Sequence, residues 1–370
     1  MKIIIAGDFC PQNRVAILFN RDEYASVLDG VKDIIKEVDY SIVNLECPVT
    51  KGCEKPIIKW GPNLQCQEKG LEALKWAGFD GVTLANNHFL DFGEDGVENT
   101  LAVCEQKGID TVGGGRNFQE ASKVLYKKAD AKTLAIINCC EHEFSIATET
   151  KAGSNPLNPI QQFYDIQEAK KCADHVLVII HGGHEHFQFP SLRMQETYRF
   201  FVDAGADAVI NHHQHCFSGY EVYKGKPIFY GLGNFCFDAG KGVDKKWNEG
   251  YMVLLNLDEI ITYEIIPYDQ CSDQACIRLL EKDSFDKILC ELNDIINDPI
   301  LIKKTVDSYY ASCASFYSDI IEPSNNRYYL ACKHRGWLPS LTTNKRKLRA
   351  ANYICCEAHR DKLMYFFYQK

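Results

Sequence analysis

Ala208-Val209-Ile210-Asn211-His212-His213-Gln214-His215 joins a short apolar run, strand-like in length, to three histidines within four residues. The whole chain holds 11 histidines in 370 residues, so the cluster is a concentration and not background. Neutral imidazole is the commonest metal ligand, and an alternating His-x-His pair at a strand end can turn two rings toward one pocket. Alone, the segment also reads as a His-rich polar loop, so the reading depends on whether the pattern recurs upstream.

It recurs. Seven apolar runs end in a residue able to bind a metal or polarise a phosphate: Asp8, Glu46, Asn87 with His88, Glu141, His181, His213 with His215, and Asn234. The runs themselves are Lys2 to Ala6, Tyr40 to Leu45, Gly81 to Leu84, Thr133 to Asn138, Val176 to Ile180, the run before His213, and Pro227 to Tyr230. Helical spacing of apolar residues falls between them, at Tyr24 to Val38, Gln67 to Ala77, Glu94 to Lys107 and Gln195 to Ala204. Such alternation predicts an α/β chain, in which ligands sit beyond the carboxyl ends of the strands. Met252 to Leu257 and Ile261 to Pro267, separated by Asp258-Glu259, suit a hairpin. Beyond about Gln270 helical periodicity with several Tyr and Cys takes over, which places a domain boundary at 268 and a mainly helical extension over 269–370.

Composition narrows the function. Hydrophobic residues at 46% and charged residues at 25% are those of a soluble globular protein. A net charge of -9 argues against general affinity for nucleic acid or anionic membranes. An anionic substrate would need positive charge supplied locally, as metal ions do. The 17 cysteines are odd in number, scattered, and in several cases inside apolar runs (Cys104, Cys139, Cys140, Cys236), so they read as small buried thiols kept reduced. No CxxC pair suggests a zinc ribbon. The opening apolar run is too short for a signal peptide, and no stretch of about 18 apolar residues suggests a membrane span. A cytoplasmic protein is expected.

The donor types specify the chemistry further. Oxygen donors from Asp8, Glu46 and the Asn87 amide, mixed with imidazoles, suit Mn, Fe or Zn. Paired metals about 3.5–4 Å apart clamp phosphoryl oxygens and need a shared carboxylate. Glu46 is the natural bridge, because it closes the strand that follows the first.

Gly7-Asp8, Asn44-Leu45-Glu46-x-Pro48, Ala85-Asn86-Asn87-His88-x-x-Asp91-x-Gly93, His181-x-Gly183-x-Glu185 and His212-His213-x-His215 occur in this order, followed by Pro227-Ile228-Phe229-Tyr230-Gly231-Leu232-Gly233-Asn234-Phe235-x-Phe237. In these motifs the chain resembles the CapA (poly-γ-glutamate/capsule synthesis) family of the calcineurin-like metallophosphatase superfamily, over about residues 1–268. The resemblance implies a four-layer αββα sandwich, two mixed sheets flanked by helices, with a helical C-terminal extension. It implies two divalent ions: Asp8 and His215 on the first, Glu46 bridging, and Asn87, His181 and His213 on the second. His88 would be the general acid, oriented by Asp91; the residue reading of Asp91 as a helix N-cap stays open beside this. Glu185 and Glu141 resemble family positions near the pocket, Glu185 as support for a ligand histidine. Lys59 would reach an anionic group of the substrate or stay solvated, and His212 would face the substrate or serve a tight turn.

Two departures stand out. Metallophosphatases generally begin with Asp-x-His, whereas the third position here is Cys10, either a soft ligand or a buried thiol. The usual bridging aspartate is Glu46, one methylene longer, as in the CapA-like branch. The implied function is a dimetal phosphoesterase-like hydrolase of capsule or cell-surface polymer synthesis, acting on an anionic phosphoester or polymer precursor. The alternatives are a γ-glutamyl amide hydrolase or transferase, and an accessory protein that binds metal without turnover. His142, His175, His334 and His359 lie outside the motifs and read as ordinary histidines. Val306 to Ile321 and Tyr353 to Tyr368 read as core or homodimer packing, and Lys345 to Arg349 as a solvated basic face.

Overall fold

The computed structural model describes residues 1–59, 61–129, 131–321 and 326–339, with Thr343 and Lys347, and omits the side chains of 313–321. Two compact units result, Met1–Ile302 and Lys303–Lys370. The expectations for residues 353–368 and most of 345–349 lie outside the described residues.

The first unit contains two large mixed sheets. In one, the strands Lys2–Phe9, Tyr40–Leu45, Gly81–Thr83 and Asp110–Val112 run parallel. Glu249–Asn256, Thr262–Gln270 and Ile277–Leu279 extend it antiparallel on the side of Lys2–Phe9. In the other, Lys132–Cys140, His175–His181, Ala208–His212 and Lys226–Phe229 run parallel, with antiparallel edges at Leu125–Ala129 and Tyr220–Tyr223.

Side chains alternate across a strand, so each strand of the first sheet feeds two cores. Ile3, Ile5, Tyr40 and Ile42 meet Leu134, Ile136, Leu177, Ile179 and Ile210 of the facing sheet. Ile4, Ala6, Val43 and Val82 pack instead with Val27, Val31, Ile35, Leu71, Leu74 and Val97 from the helices Ala25–Lys36, Glu68–Ala77 and Gly93–Lys107. Pro159–Cys172 and Leu192–Ala204 cover the outer face of the second sheet through Ile166, Ala169, Tyr198 and Phe201. The layers are therefore helix, sheet, sheet, helix, an αββα sandwich.

The first unit runs past residue 268. Tyr268, Asp269 and Gln270 pair with Leu279, Arg278 and Ile277, and Phe285, Leu289 and Leu292 of the helix Lys282–Asn297 enter the core between the sheets. A boundary at 268 would cut a strand and strip that core of three apolar side chains; the compact unit ends at Ile302. In the second unit, Asn326 caps the helix Arg327–His334 by accepting from the amides of Tyr328 and Tyr329.

One close approach sets the site. Lys2–Phe9 continues through Gly7 to Phe9 beside the Gly231-Leu232-Gly233 segment, and the Asp8 amide donates to the Gly233 carbonyl at 3.1 Å. A Cβ at position 7 would lie 2.0 Å from that oxygen, 3.0 Å from its carbonyl carbon and 3.1 Å from the Tyr268 hydroxyl. Overpacking of this kind costs roughly 1–3 kcal/mol and sometimes more. Gly7→Ala is expected to lower the unfolding free energy measured by urea denaturation by an amount in that range.

Candidate metal centre

Strand ends deliver the donors, as the sequence predicts. Asp8 lies near the end of Lys2–Phe9 and Glu46 follows Tyr40–Leu45, with the Glu46 amide bonded to the Phe9 carbonyl at 3.0 Å. Asn87 sits in the turn after Gly81–Thr83, and His181 closes His175–His181 in register with His212 on the neighbouring strand. His213 and His215 have φ of +91° and +54°, conformations that cost non-glycine residues about 1–3 kcal/mol each unless their surroundings hold them. The His213 amide donates to Asp8 Oδ2 at 3.3 Å, and His215 Nδ1 pairs with Asn234 Oδ1 at 2.9 Å.

All six side chains converge. Glu46, His181 and His213 form one group of donor atoms, and Asp8, Glu46 and His215 a second, each lying within 4.8 Å of one another. Glu46 belongs to both. Its Oε1 is 3.5 Å from His181 Nε2 and 3.5 Å from His215 Nε2, while His215 Nδ1 lies 3.6 Å from Asp8 Oδ2. Asn87 Oδ1 joins the first group, 3.0 Å from His181 Nε2, which is also 3.0 Å from His213 Nδ1. Both Glu46 oxygens are fully buried without a hydrogen-bond partner. A buried, unpartnered carboxylate is expensive unless a cation completes it, so the donors present fit a metal.

Electrostatics agree. Burial pushes the Asp8 carboxyl up to about 7, against bonds from Asn44 and the His213 amide that pull it down. Burial, then repulsion from Asp8, holds the Glu46 carboxyl well above the ordinary range. Burial drives His213 and His215 down to about 3, and His181 well below its usual value, so the three rings are neutral and free to ligate.

The family model described as bacterial capsule synthesis protein PGA_cap matches residues 2–239. The chain belongs to this family. It is similar to the capsule biosynthesis protein CapA of Bacillus anthracis, 34% identical over 65% of this chain and 60% of that protein. It is also similar to the PGA biosynthesis protein CapA of Bacillus subtilis (strain 168), 35% identical over 58% of this chain and 57% of that protein. The matches span about 60% of the length of these curated relatives. Among solved structures, a novel phosphatase from Mycoplasma pneumoniae aligns at 16% identity and a TM-score of 0.47, over 74% of this chain and 95% of that one.

In this PGA_cap chain His88 stands beside the donor groups in a hydrogen-bonded set of its own. His88 Nδ1 is 2.6 Å from Asp91 Oδ2, and Lys59 Nζ bonds the other Asp91 oxygen while lying 3.1 Å from His88 Nδ1. Asp91 does not cap the next helix: Gly93–Lys107 has Phe92 at its N-cap, without a side-chain cap bond. Its carboxylate and carbonyl instead tie down the 57–64 segment, accepting from Leu64 N at 2.7 Å, and from Ile57 N at 2.9 Å and Asn63 Nδ2 at 3.0 Å respectively. The Lys59 side chain, 2% exposed, is a buried ion-pair partner and not a solvated loop lysine.

Other candidates take different places. His212 is buried, with Nδ1 3.5 Å from Asp8 Oδ1 and no hydrogen bond at either ring nitrogen. Cys10 is buried outside both donor groups and accepts from Gln12 Nε2 at 3.3 Å, which fits the buried-thiol reading. The cysteines described are all free. Glu141 pairs with Arg193 at 2.5 Å on the rim. Glu185 is exposed, while His181 Nδ1 lies 3.2 Å from Asn44 Nδ2 and His215 Nδ1 lies 2.9 Å from Asn234 Oδ1.

Two contributors escaped the sequence reading. Asn44 Nδ2 donates to Asp8 Oδ1 at 2.8 Å and lies 3.2 Å from His181 Nδ1, while its own oxygen accepts from Thr83. The Asn44-Leu45-Glu46 motif contained that signal. Glu143, two residues past Glu141, reaches Asn87 and His213, and no spacing pointed to it.

Proposed function

We propose that this chain is a two-metal phosphoester hydrolase that works in the synthesis of capsule or a related cell-surface polymer. Glu46 carries the reading: one buried carboxylate, unpartnered at both oxygens, shared by two groups of neutral imidazole and carboxylate donors. Asp8 and His215 would hold one ion, Asn87, His181 and His213 the other, with Glu46 between them. Two divalent ions, Mn, Fe or Zn, would supply Lewis-acid stabilisation of phosphoryl oxygens and ease deprotonation of water.

The chain's own residues handle the proton on the other side. With Nδ1–H donated to Asp91, the His88 ring is fixed in plane, and a proton on Nε2 is the one to pass to a leaving oxygen. Lys59, bound to the far oxygen of Asp91, keeps that buried carboxylate paired. His88 is buried, so the transfer would occur away from bulk water. The free thiols fit a reducing compartment, as in the cytoplasm.

Metal analysis after Mn loading, with aryl phosphomonoester and phosphodiester assays, tests the reading. His88→Ala is expected to keep two ions per chain and lose about 10²–10⁴-fold in kcat, the usual worth of a positioned acid. Two bound ions without turnover on any phosphoester would leave an accessory, metal-binding protein instead.

A further inference from the structure

Glu143 lies in the Glu141-His142-Glu143-Phe144-Ser145 segment that follows the Lys132–Cys140 strand. That segment is anchored two residues further on: Ser145 Oγ donates to the Asn87 carbonyl at 2.7 Å and accepts from the Leu90 amide at 3.1 Å. The anchor holds Glu143 against the turn that carries Asn87.

The two carboxylate oxygens of Glu143 divide their attention. Oε2 accepts from Asn87 Nδ2 at 3.5 Å, and Oε1 lies 3.7 Å from His213 Nε2. Asn87 turns its other atom, Oδ1, to His181 Nε2 at 3.0 Å, and His213 turns its other nitrogen, Nδ1, to the same atom at 3.0 Å. In each residue the atom turned to His181 is therefore the one opposite the atom that faces Glu143. A ligating amide must present oxygen, and a neutral imidazole that ligates through Nδ1 must carry its proton on Nε2. One carboxylate placed behind both residues selects both states.

We propose that Glu143 is a positioning residue for one metal: it fixes the amide orientation of Asn87 and the Nε2–H tautomer of His213, so that both present a lone pair to the ion shared with His181 and Glu46. This rests on the two-ion reading above. Carboxylates behind ligand histidines act in this way in metal sites generally, and their loss weakens affinity by about 10–100-fold. The 37% exposure of the Glu143 side chain makes its replacement tolerable to the fold.

Stepwise titration with Mn²⁺, followed by calorimetry and by the spin-resonance signal of the bound ion, tests this on wild type, Glu143→Gln, Asn87→Ala and the exposed control Glu149→Gln. Glu143→Gln should weaken one of the two sites by about 10–100-fold, the same site that Asn87→Ala weakens, and leave the other within twofold. Glu149→Gln should match wild type. Unchanged affinities in Glu143→Gln, or equal weakening of both sites, would overturn the role given to Glu143. Fewer than two ions in wild type would instead overturn the two-ion reading and this inference with it.

Discussion

Glu46→Gln should bind fewer than two ions per chain and lose at least about 10³-fold in phosphoester turnover, since metal-derived charge stabilisation supplies several kcal/mol. The substitution keeps size and shape. It removes the carboxylate common to both donor groups, and a neutral amide presents one oxygen and one NH₂ where two cations would need two anionic oxygens. The metal-free proteins should order the other way. Wild type without metal holds a buried acid with both oxygens unpartnered, so Glu46→Gln removes a destabilising group and should melt no lower than metal-free wild type. Metal counting, kinetics and thermal unfolding with and without chelator check all three. Two ions retained in Glu46→Gln would show that the carboxylate does not bridge.

Metal affinity should climb steeply with pH up to about 7, driven by carboxylic acids and not by histidines. Below about 7 the folded, metal-free chain keeps a proton on Asp8, and burial with repulsion from Asp8 holds the Glu46 carboxyl well above its ordinary range as well. Both must leave when an ion binds, whereas His181, His213 and His215, held well below their ordinary value, have no proton to lose. The sign follows. A proton held in the metal-free state and absent from the bound state opposes binding at low pH, and the opposition from Asp8 vanishes as pH rises through about 7. Each displaced proton changes affinity about tenfold per pH unit, so Asp8 alone should raise the product of the two binding constants about tenfold between pH 5.5 and 6.5, with Glu46 acting in the same direction. Calorimetry in buffers of different ionisation enthalpy counts the released protons. Release of three or more protons per chain at pH 5.5 would put protons on the histidines and refute this assignment.

Those donors were legible because the physics that places them is local. Tyr40–Leu45, mostly apolar and flanked by Asp39 and Glu46, reads as a strand, and its boundaries in the fold match the pattern. A parallel strand exposes its carboxyl end, so Glu46, Asn87, His181 and His213 fall on one rim as soon as the strands are recognised. Glu143 was not legible for the opposite reason. It stands three residues beyond its strand, and its partners Asn87 and His213 are 56 and 70 positions away in sequence. The helix Lys282–Asn297 shows the same limit: Phe285, Leu289, Leu292 and Ile296 advertise an apolar face, but periodicity does not say which core receives it. By contrast, Pro159–Cys172 had a readable start, Asn158 followed by Pro159, that the apolar pattern alone passes over.

Asp8, Glu46 and Asn87 follow strands of one sheet, and His181, His213 and His215 follow strands of the other. Neither half of the sandwich owns a complete coordination set. On the two-ion reading, either sheet alone would lack the full set of donors, so an ion would be seated only once both sheets have docked.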